Sequence, residues 1–160
     1  GGGAGGANTV QAAAQDQATL EADAWPGALR VGGGSAAAAA LNWYRPIDEQ
    51  MDEQMDEQQG SRAGGRLDPR DADVILAAEC VWLKELVEPF VGTVLALLRG
   101  PRRPFCLLCF RERAKEGSTS FTAGSAVICE FGARGCEVIE HGEVGAESQR
   151  TWLYELRLRG

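Results

Sequence analysis

The sequence predicts an α/β fold built around a strand, an acidic turn and a helix. Three observations point there. Val74-Ile75-Leu76-Ala77-Ala78 is a short apolar run between polar ends, which predicts a strand buried on both faces, as inside a parallel sheet. A long apolar stretch follows, with Leu86, Val87, Phe90, Val91, Val94, Leu95 and Leu98 at helical spacing. Between the two stand an acid, Glu79, and an aromatic, Trp82. In open α/β sheets that place, just past the carboxyl end of a strand, is where ligands sit.

The 160 residues suffice for one domain with a real core. With 44% hydrophobic and 24% charged residues, the average composition is that of a globular chain rather than a disordered one. The opening GGGAGGA, without an initiator Met, reads as a fragment or a processed piece. No run resembles a signal peptide or reaches the length of a transmembrane helix, so a soluble intracellular protein is expected. The net charge of −7 comes almost wholly from residues 48–59; without the six carboxylates there it is −1. The acidic balance therefore says little about partners. Basic residues are scattered, apart from Arg99, Arg102 and Arg103 around a Gly-Pro turn, so no nucleic-acid groove is expected. The five cysteines are an odd count without a secretory context, which argues against a disulfide framework. Cys106 and Cys109 form a CxxC inside an apolar strand, where residues three apart face opposite sides. They read as small buried apolar residues rather than a zinc or redox pair.

In chain order, residues 1–7 are Gly-rich and expected to be disordered. Asn8 is a plausible cap for a helix over Thr9 to Ala24, ended by Trp25-Pro26-Gly27. Ala28 to Val31 reads as a short strand that Gly32-Gly33-Gly34-Ser35 breaks. Five alanines then favour helix, while Leu41-Asn42-Trp43-Tyr44 looks like a strand end; local signals leave that conflict open. Pro46 argues against a continuing central strand. DEQMDEQMDEQQ is a four-residue repeat, expected as a solvated acidic loop or frayed helix, since it lacks the Gly turn and ligand spacing of a calcium loop. Gly60 to Arg70 continues as a linker. Beyond the central stretch, Gly100 to Pro104 is a tight connection, Phe105 to Phe110 a strand, and Arg111 to Thr119 a loop. Phe121 to Phe131 is a helix ending near Gly132 or Gly135, and Cys136 to Glu140 a third strand. After a loop over Gly142 to Gln149, Trp152 to Leu158 is a last strand. The order is β-α-β-α-β-β, with an antiparallel hairpin closing one sheet edge.

This order, with these residues at the strand ends, resembles the carboxyl-terminal half of a seven-β-strand S-adenosylmethionine-dependent methyltransferase, and more narrowly the methyltransferase-like branch that modifies protein lysines. In that branch an acid, two apolar residues and an aromatic follow the fourth strand; here these are Glu79, Cys80, Val81 and Trp82. A Leu-Asp/Asn-Trp-Gly motif ends the preceding strand; here it is Leu41-Asn42-Trp43, with Tyr44 in place of glycine. FCLLCFRER, Phe105 to Arg113, is similar to the fifth strand with its charged end, and Gly135 to Val138 with the final WLYELRL matches the closing hairpin.

The resemblance implies a Rossmann-like seven-strand methyltransferase sheet, incomplete at its amino-terminal half. It implies four regions: 1–7 Gly-rich, 8–47 a partial methyltransferase core, 48–70 an acidic repeat and linker insertion, and 71–160 the carboxyl-terminal half of the domain. It further implies S-adenosyl-L-methionine as cofactor and a lysine side chain of a protein substrate as acceptor. Trp43 and Ala78 fall at cofactor-contacting positions, Trp43 against the adenine and the small Ala78 where the cofactor lies close to backbone. Glu79 and Trp82 fall on the substrate side, Glu79 to orient the incoming amine and Trp82 to line the lysine channel. The implied protein is a cytoplasmic monomer, with the nucleus a second compartment, and binds neither nucleic acid nor membrane. On local signals alone, Glu79 is a polar strand-end residue and both tryptophans are core anchors. Two features of the family are not recognisable here: the Gly-rich turn after the first strand and the acid ending the second. They keep two alternatives open, a catalytically inactive fragment acting as a binding module and a small-molecule methyltransferase. His141 reads as a surface residue, and Ser118 and Ser120 have no base nearby in sequence.

Overall fold

The computed structural model describes residues 29–36, 38, 40–58, 68–115, 117–145 and 150–160. The chain divides into two units, Gly1–Leu41 with Asp52–Leu67, and Asn42–Met51 with Asp68–Gly160. The helix expected over Thr9 to Ala24, the Gly-rich start and most of the expected linker lie outside the described residues.

In the first unit, β1 (Leu29–Val31) and β2 (Gly34–Ala36) form a hairpin that pairs Leu29 with Ala36 and Val31 with Gly34. The expected short strand is present, but only Gly32 and Gly33 turn the chain; Gly34 and Ser35 belong to the returning strand.

The second unit begins with a turn. Leu41-Asn42-Trp43, expected as a strand end, folds back instead. Tyr44 N–H donates to Asn42 Oδ1 at 2.9 Å and Arg45 N–H to Asn42 O at 3.2 Å, the local side-chain bonding by which Asn competes with strand ladders. The acidic repeat that follows is helix α1 (Ile47–Gln58). Asp48 and Glu49 sit in its first turn, where the backbone dipole favours carboxylates. Glu, Gln and Met are good helix formers, so the repeat needs no loop. Its first residues are not solvated throughout: Ile47, Gln50 and Met51 are buried. The Gln50 amide holds the turn, accepting from Asn42 N–H at 2.8 Å and donating to the carbonyls of Asn42 and Arg45 at 2.9 and 3.0 Å.

A 3₁₀ turn, Pro69–Asp71, leads into a four-stranded mixed sheet in the order β3 (Val74–Ala78), β4 (Phe105–Arg111), β6 (Thr151–Leu158), β5 (Cys136–Val144). β3 lies parallel to β4, Val74 opposite Phe105 and Ala78 opposite Cys109. β6 is antiparallel to both β4 and β5, which makes β5 one edge, as the closing hairpin expected. β5 runs past the expected Glu140; a register shift at His141 absorbs one residue and pairing continues to Val144. Helices α2 (Lys84–Leu98) and α3 (Gly124–Ala133) fill the connections, completing the expected β-α-β-α-β-β order. α3 starts three residues later than expected because Phe121 bridges to Leu83.

The registers fix which side chains share a face. Ile75 and Ala77 line up with Cys106, Leu108 and Phe110, and these with Trp152, Tyr154 and Leu156. Against this face pack Phe90, Val91, Val94, Leu95 and Leu98 of α2, and Val127 and Phe131 of α3. Phe90 meets Phe131 edge-on, with ring centroids 6.1 Å apart. One close approach ties α2 to the 3₁₀ turn: a Cβ on Gly100 would lie 2.0 Å from the Arg70 carbonyl oxygen, so only glycine fits.

β3 corrects the expectation of a strand buried on both faces. Ala77 is buried, but Val74 and Leu76 point the other way and are exposed at 43% and 75%. The strand pairs with β4 on one side alone among the described residues, so its apolar run covers one face.

Two predictions follow from this core. Phe131→Ala, at a fully buried ring, lowers stability by about 3–5 kcal/mol, whereas Leu76→Ala changes it by no more than about 0.5 kcal/mol in denaturant titrations. A large loss at Leu76 contradicts the exposed strand face. Thiol reagents at about pH 8 modify exposed Cys129 while leaving Cys106 and Cys136 untouched until the chain unfolds. Burial pushes the Cys106 thiol up to about 12, leaving almost no thiolate to react. Five equally fast cysteines in the folded protein contradict this.

Candidate functional site

The parallel pair β3–β4 ends in a cluster of charge. Glu79 follows Ala78 with φ of 53°, in the left-handed region, and its N–H donates to the Cys109 carbonyl at 3.0 Å. Ladder bonding thus continues one residue past the strand while the chain swings away from it. The carboxylate lands beside the charged end of β4. Arg111 Nε lies 2.6 Å from Oε1 and Arg113 Nη2 lies 2.5 Å from Oε2, so each oxygen has its own guanidinium. The Arg113 guanidinium also sits over the Trp82 ring, 5.5 Å from its centroid. Trp82 is partly exposed, at 36%.

Backbone pairing holds Trp82 in place. The segment after β3 runs alongside the residues before α3: Thr122 N–H donates to the Trp82 carbonyl at 2.8 Å and Lys84 N–H to the Ser120 carbonyl at 3.0 Å. Lys84 Nζ reaches the Ser118 carbonyl at 2.7 Å. Between Arg111 and Arg113, Glu112 serves α3. Its carboxylate accepts from Gly124 N–H and Ala114 N–H, both at 2.9 Å, which places a negative charge at a helix N-terminus. Gly124 permits this approach, since a Cβ there would lie 3.0 Å from the Phe110 ring. A cavity of about 460 Å³ opens next to this bracing, lined by Lys84, Lys115, Ser118 and Phe121 among others. Neither Glu79 nor Trp82 lines it.

The structure therefore brings Glu79 and Trp82 together through Arg113. Ala78 is the exposed last residue of β3, one step from Glu79. Trp43 lies in the Asn42 turn, half-buried, with its ring edge-on to Phe90 at 5.2 Å between centroids. It packs on the core. His141 is exposed, with Nε2 at 3.1 Å from Glu155 Oε2, and Ser118 Oγ accepts from Phe121 N–H at 3.1 Å. Arg111 and Arg113 were the residues that sequence reasoning passed over. The signal was there: a parallel partner in register with Ala78 at Cys109 must carry Arg111 level with the residues just after β3.

These residues fit S-adenosylmethionine only in part. Exposed Ala78 leaves the backbone at the end of β3 approachable. A cradle for the cofactor also needs a Gly-rich turn from strand to helix and a free strand-end carboxylate for the ribose. In the second unit the described strand-to-helix connections have no such turn, and Glu79 is held on both oxygens. The described residues do not complete a site for the cofactor. No protein-family model matches this chain, and no curated protein is significantly similar to it.

The left-handed turn at Glu79 has a measurable consequence. Both Glu79→Gly and Glu79→Ala remove the carboxylate, but only alanine retains the backbone penalty of φ near +50°, so the glycine variant is more stable by about 1 kcal/mol. Equal stability of the two, or a more stable alanine variant, contradicts the turn.

Proposed function

We propose that the second unit is the substrate-side half of a seven-β-strand S-adenosylmethionine-dependent methyltransferase fold, and that it receives the lysine side chain of a protein substrate between Glu79 and Trp82. One observation carries this reading. Glu79 and Trp82 jointly hold a single cation, the Arg113 guanidinium, by a carboxylate hydrogen bond on one side and a ring face on the other. A lysine ammonium is recognised by the same two groups for the same reasons. The position supports the reading as well, since the pair stands past the carboxyl end of two parallel strands. The strand that would answer to the family's fourth is followed by a parallel fifth and a closing antiparallel hairpin. In this class S-adenosylmethionine supplies the methyl group as an electrophilic sulfonium. The role of the described residues is to bind and orient the amine, and Arg113 must yield its place for a lysine to enter.

A second reading has its own observation. With both Glu79 oxygens engaged by arginine, the unit could serve as a catalytically inactive methyltransferase-fold module that binds without transferring.

A lysine-bearing test peptide and its acetyl-lysine counterpart separate these from no recognition at all. The lysine peptide is expected to bind, the acetylated one to bind at least about tenfold more weakly, and Glu79→Gln or Trp82→Ala to remove the difference. Arg113→Ala is expected to tighten binding by freeing the Trp82 ring face and one Glu79 oxygen, the other staying with Arg111. Equal affinity for the two peptides contradicts the lysine site. Methyl transfer to the bound peptide on adding S-adenosylmethionine favours the enzyme, and binding without transfer favours the module.

A further inference from the structure

A second concavity of the second unit lies at the other end of the sheet. It is a cavity of about 660 Å³, where α2 ends, β4 begins and β6 finishes. Four arginines line it, Arg99, Arg103, Arg157 and Arg159, with Leu98 and Pro104 among its apolar walls and no carboxylate side chain. These arginines are spread over 61 positions of the sequence, and the fold collects them.

Each arrives by a separate device. Arg99 closes α2, its N–H donating to the Leu95 carbonyl at 3.2 Å. Arg103 ends the Gly100–Arg103 turn, its N–H donating to the Gly100 carbonyl at 3.0 Å, with φ of 50°. That left-handed conformation is unusual for a residue other than glycine. Arg159 is tied to the head of β5 by its N–H bond to the Gly135 carbonyl at 3.1 Å. Burial pushes the Cys136 thiol up, and the positive charges of Arg99 and Arg159 act in the opposite direction. Arg157 is already engaged, by the Glu155 carboxylate and by the Phe105 ring 4.9 Å from its Cζ. Nearby Arg102 is likewise paired, with Asp73 at 3.0 Å, and does not line the cavity. No carboxylate pairs with Arg99, Arg103 or Arg159 among the described residues. Three arginines therefore line one concavity without a paired carboxylate side chain among the described residues, in a chain whose net charge is −7.

We propose that this cavity is a binding site for a compact, multiply charged phosphate ligand, such as a triphosphate group, held by Arg99, Arg103 and Arg159. The volume lies within the range of small-molecule sites, about 300–1,000 Å³. Guanidinium forks match phosphate oxygens two at a time, and three converging cations suit a ligand that concentrates about three negative charges. The concavity favours such a ligand over an extended polymer, which tracks a groove or stripe of charge. The site is separate from the one at Glu79 and does not depend on the lysine reading: Glu79 follows the carboxyl end of β3, level with Cys109, whereas the cavity borders Pro104, before β4 begins.

The probe is inorganic tripolyphosphate, titrated by calorimetry into the whole chain at about 0.15 M salt. Saturable one-to-one binding is expected. Arg99→Gln, Arg159→Gln and Arg103→Asn, the last chosen because asparagine tolerates a left-handed backbone, together weaken it by at least about tenfold. Arg102→Gln leaves it unchanged. Melting temperatures of the variants show whether each is folded, and a triple lysine variant, which keeps charge but loses the forks, is expected to bind at an intermediate level. No saturable binding by the parent chain overturns the proposal, as does equal weakening by Arg102→Gln. Tighter binding of a nucleic-acid duplex or an acidic peptide at the same three arginines also overturns it, and so does salt-sensitive self-association that the triple variant abolishes.

Discussion

Everything in the second unit refers to β4 and to the simple alternation of a strand. Its inward row, Cys106, Leu108 and Phe110, is buried almost completely. β3 reads its register on one side in parallel, and β6 reads it on the other side antiparallel. The same three residues belong to the core into which α2 and α3 pack. β4 also fixes what stands at its two ends. At its carboxyl end and just past it, Arg111, Glu112 and Arg113 alternate in role: the two arginines hold Glu79 while the glutamate between them holds the start of α3. Before its amino end lies the turn that carries Arg103. A shift of β4 by one residue would place its apolar row outside the core and separate Glu79 from both guanidiniums.

Much of this was legible in the sequence, and the limits were physical. The helix at Lys84–Leu98, the strand at Phe105 and the final hairpin carry strong apolar periodicity, and such patterns survive any tertiary context. Val74 to Ala78 was legible as a strand but not as a strand with one exposed face, because an unbroken apolar run looks the same in either setting. Whether Leu76 is covered depends on what lies over it, which no local signal carries. Leu41-Asn42-Trp43 misled for the opposite reason: its aromatic and leucine suggest a strand, while Asn42 and the distant Gln50 make a turn through hydrogen bonds that composition does not show. The acidic repeat looked like solvated low complexity, yet its Glu, Gln and Met are good helix formers, and Gln50 and Met51 are buried together with Ile47 just before it.

The candidate site was half legible. Glu79 and Trp82 could be placed at a strand's carboxyl end from their position alone. What the sequence hid was their shared partner. Arg113 lies 34 residues from Glu79, and the two meet only because a parallel crossover returns the chain beside β3. The same holds for the arginine-lined cavity, whose members are scattered in sequence and converge through a helix end, a tight turn and a chain terminus of the sheet. Charge that balances along the chain can still segregate in space, and here it gathers at the two ends of the sheet in different ways. At one end arginines are satisfied by a carboxylate and a ring; at the other three stand without a carboxylate among the described residues.

The central claim is that Glu79 and Trp82 act as one receptor for a cation. The most direct test is a double-mutant cycle on lysine-peptide affinity with Glu79→Gln, Trp82→Ala and the pair. If both groups grip the same ammonium, losing either disturbs the hold of the other, and the cycle shows a coupling of about 1 kcal/mol. Strictly additive losses would mean that carboxylate and indole act on separate parts of the peptide. Affinity untouched by all three variants would mean that the strand-end cluster only supports the fold.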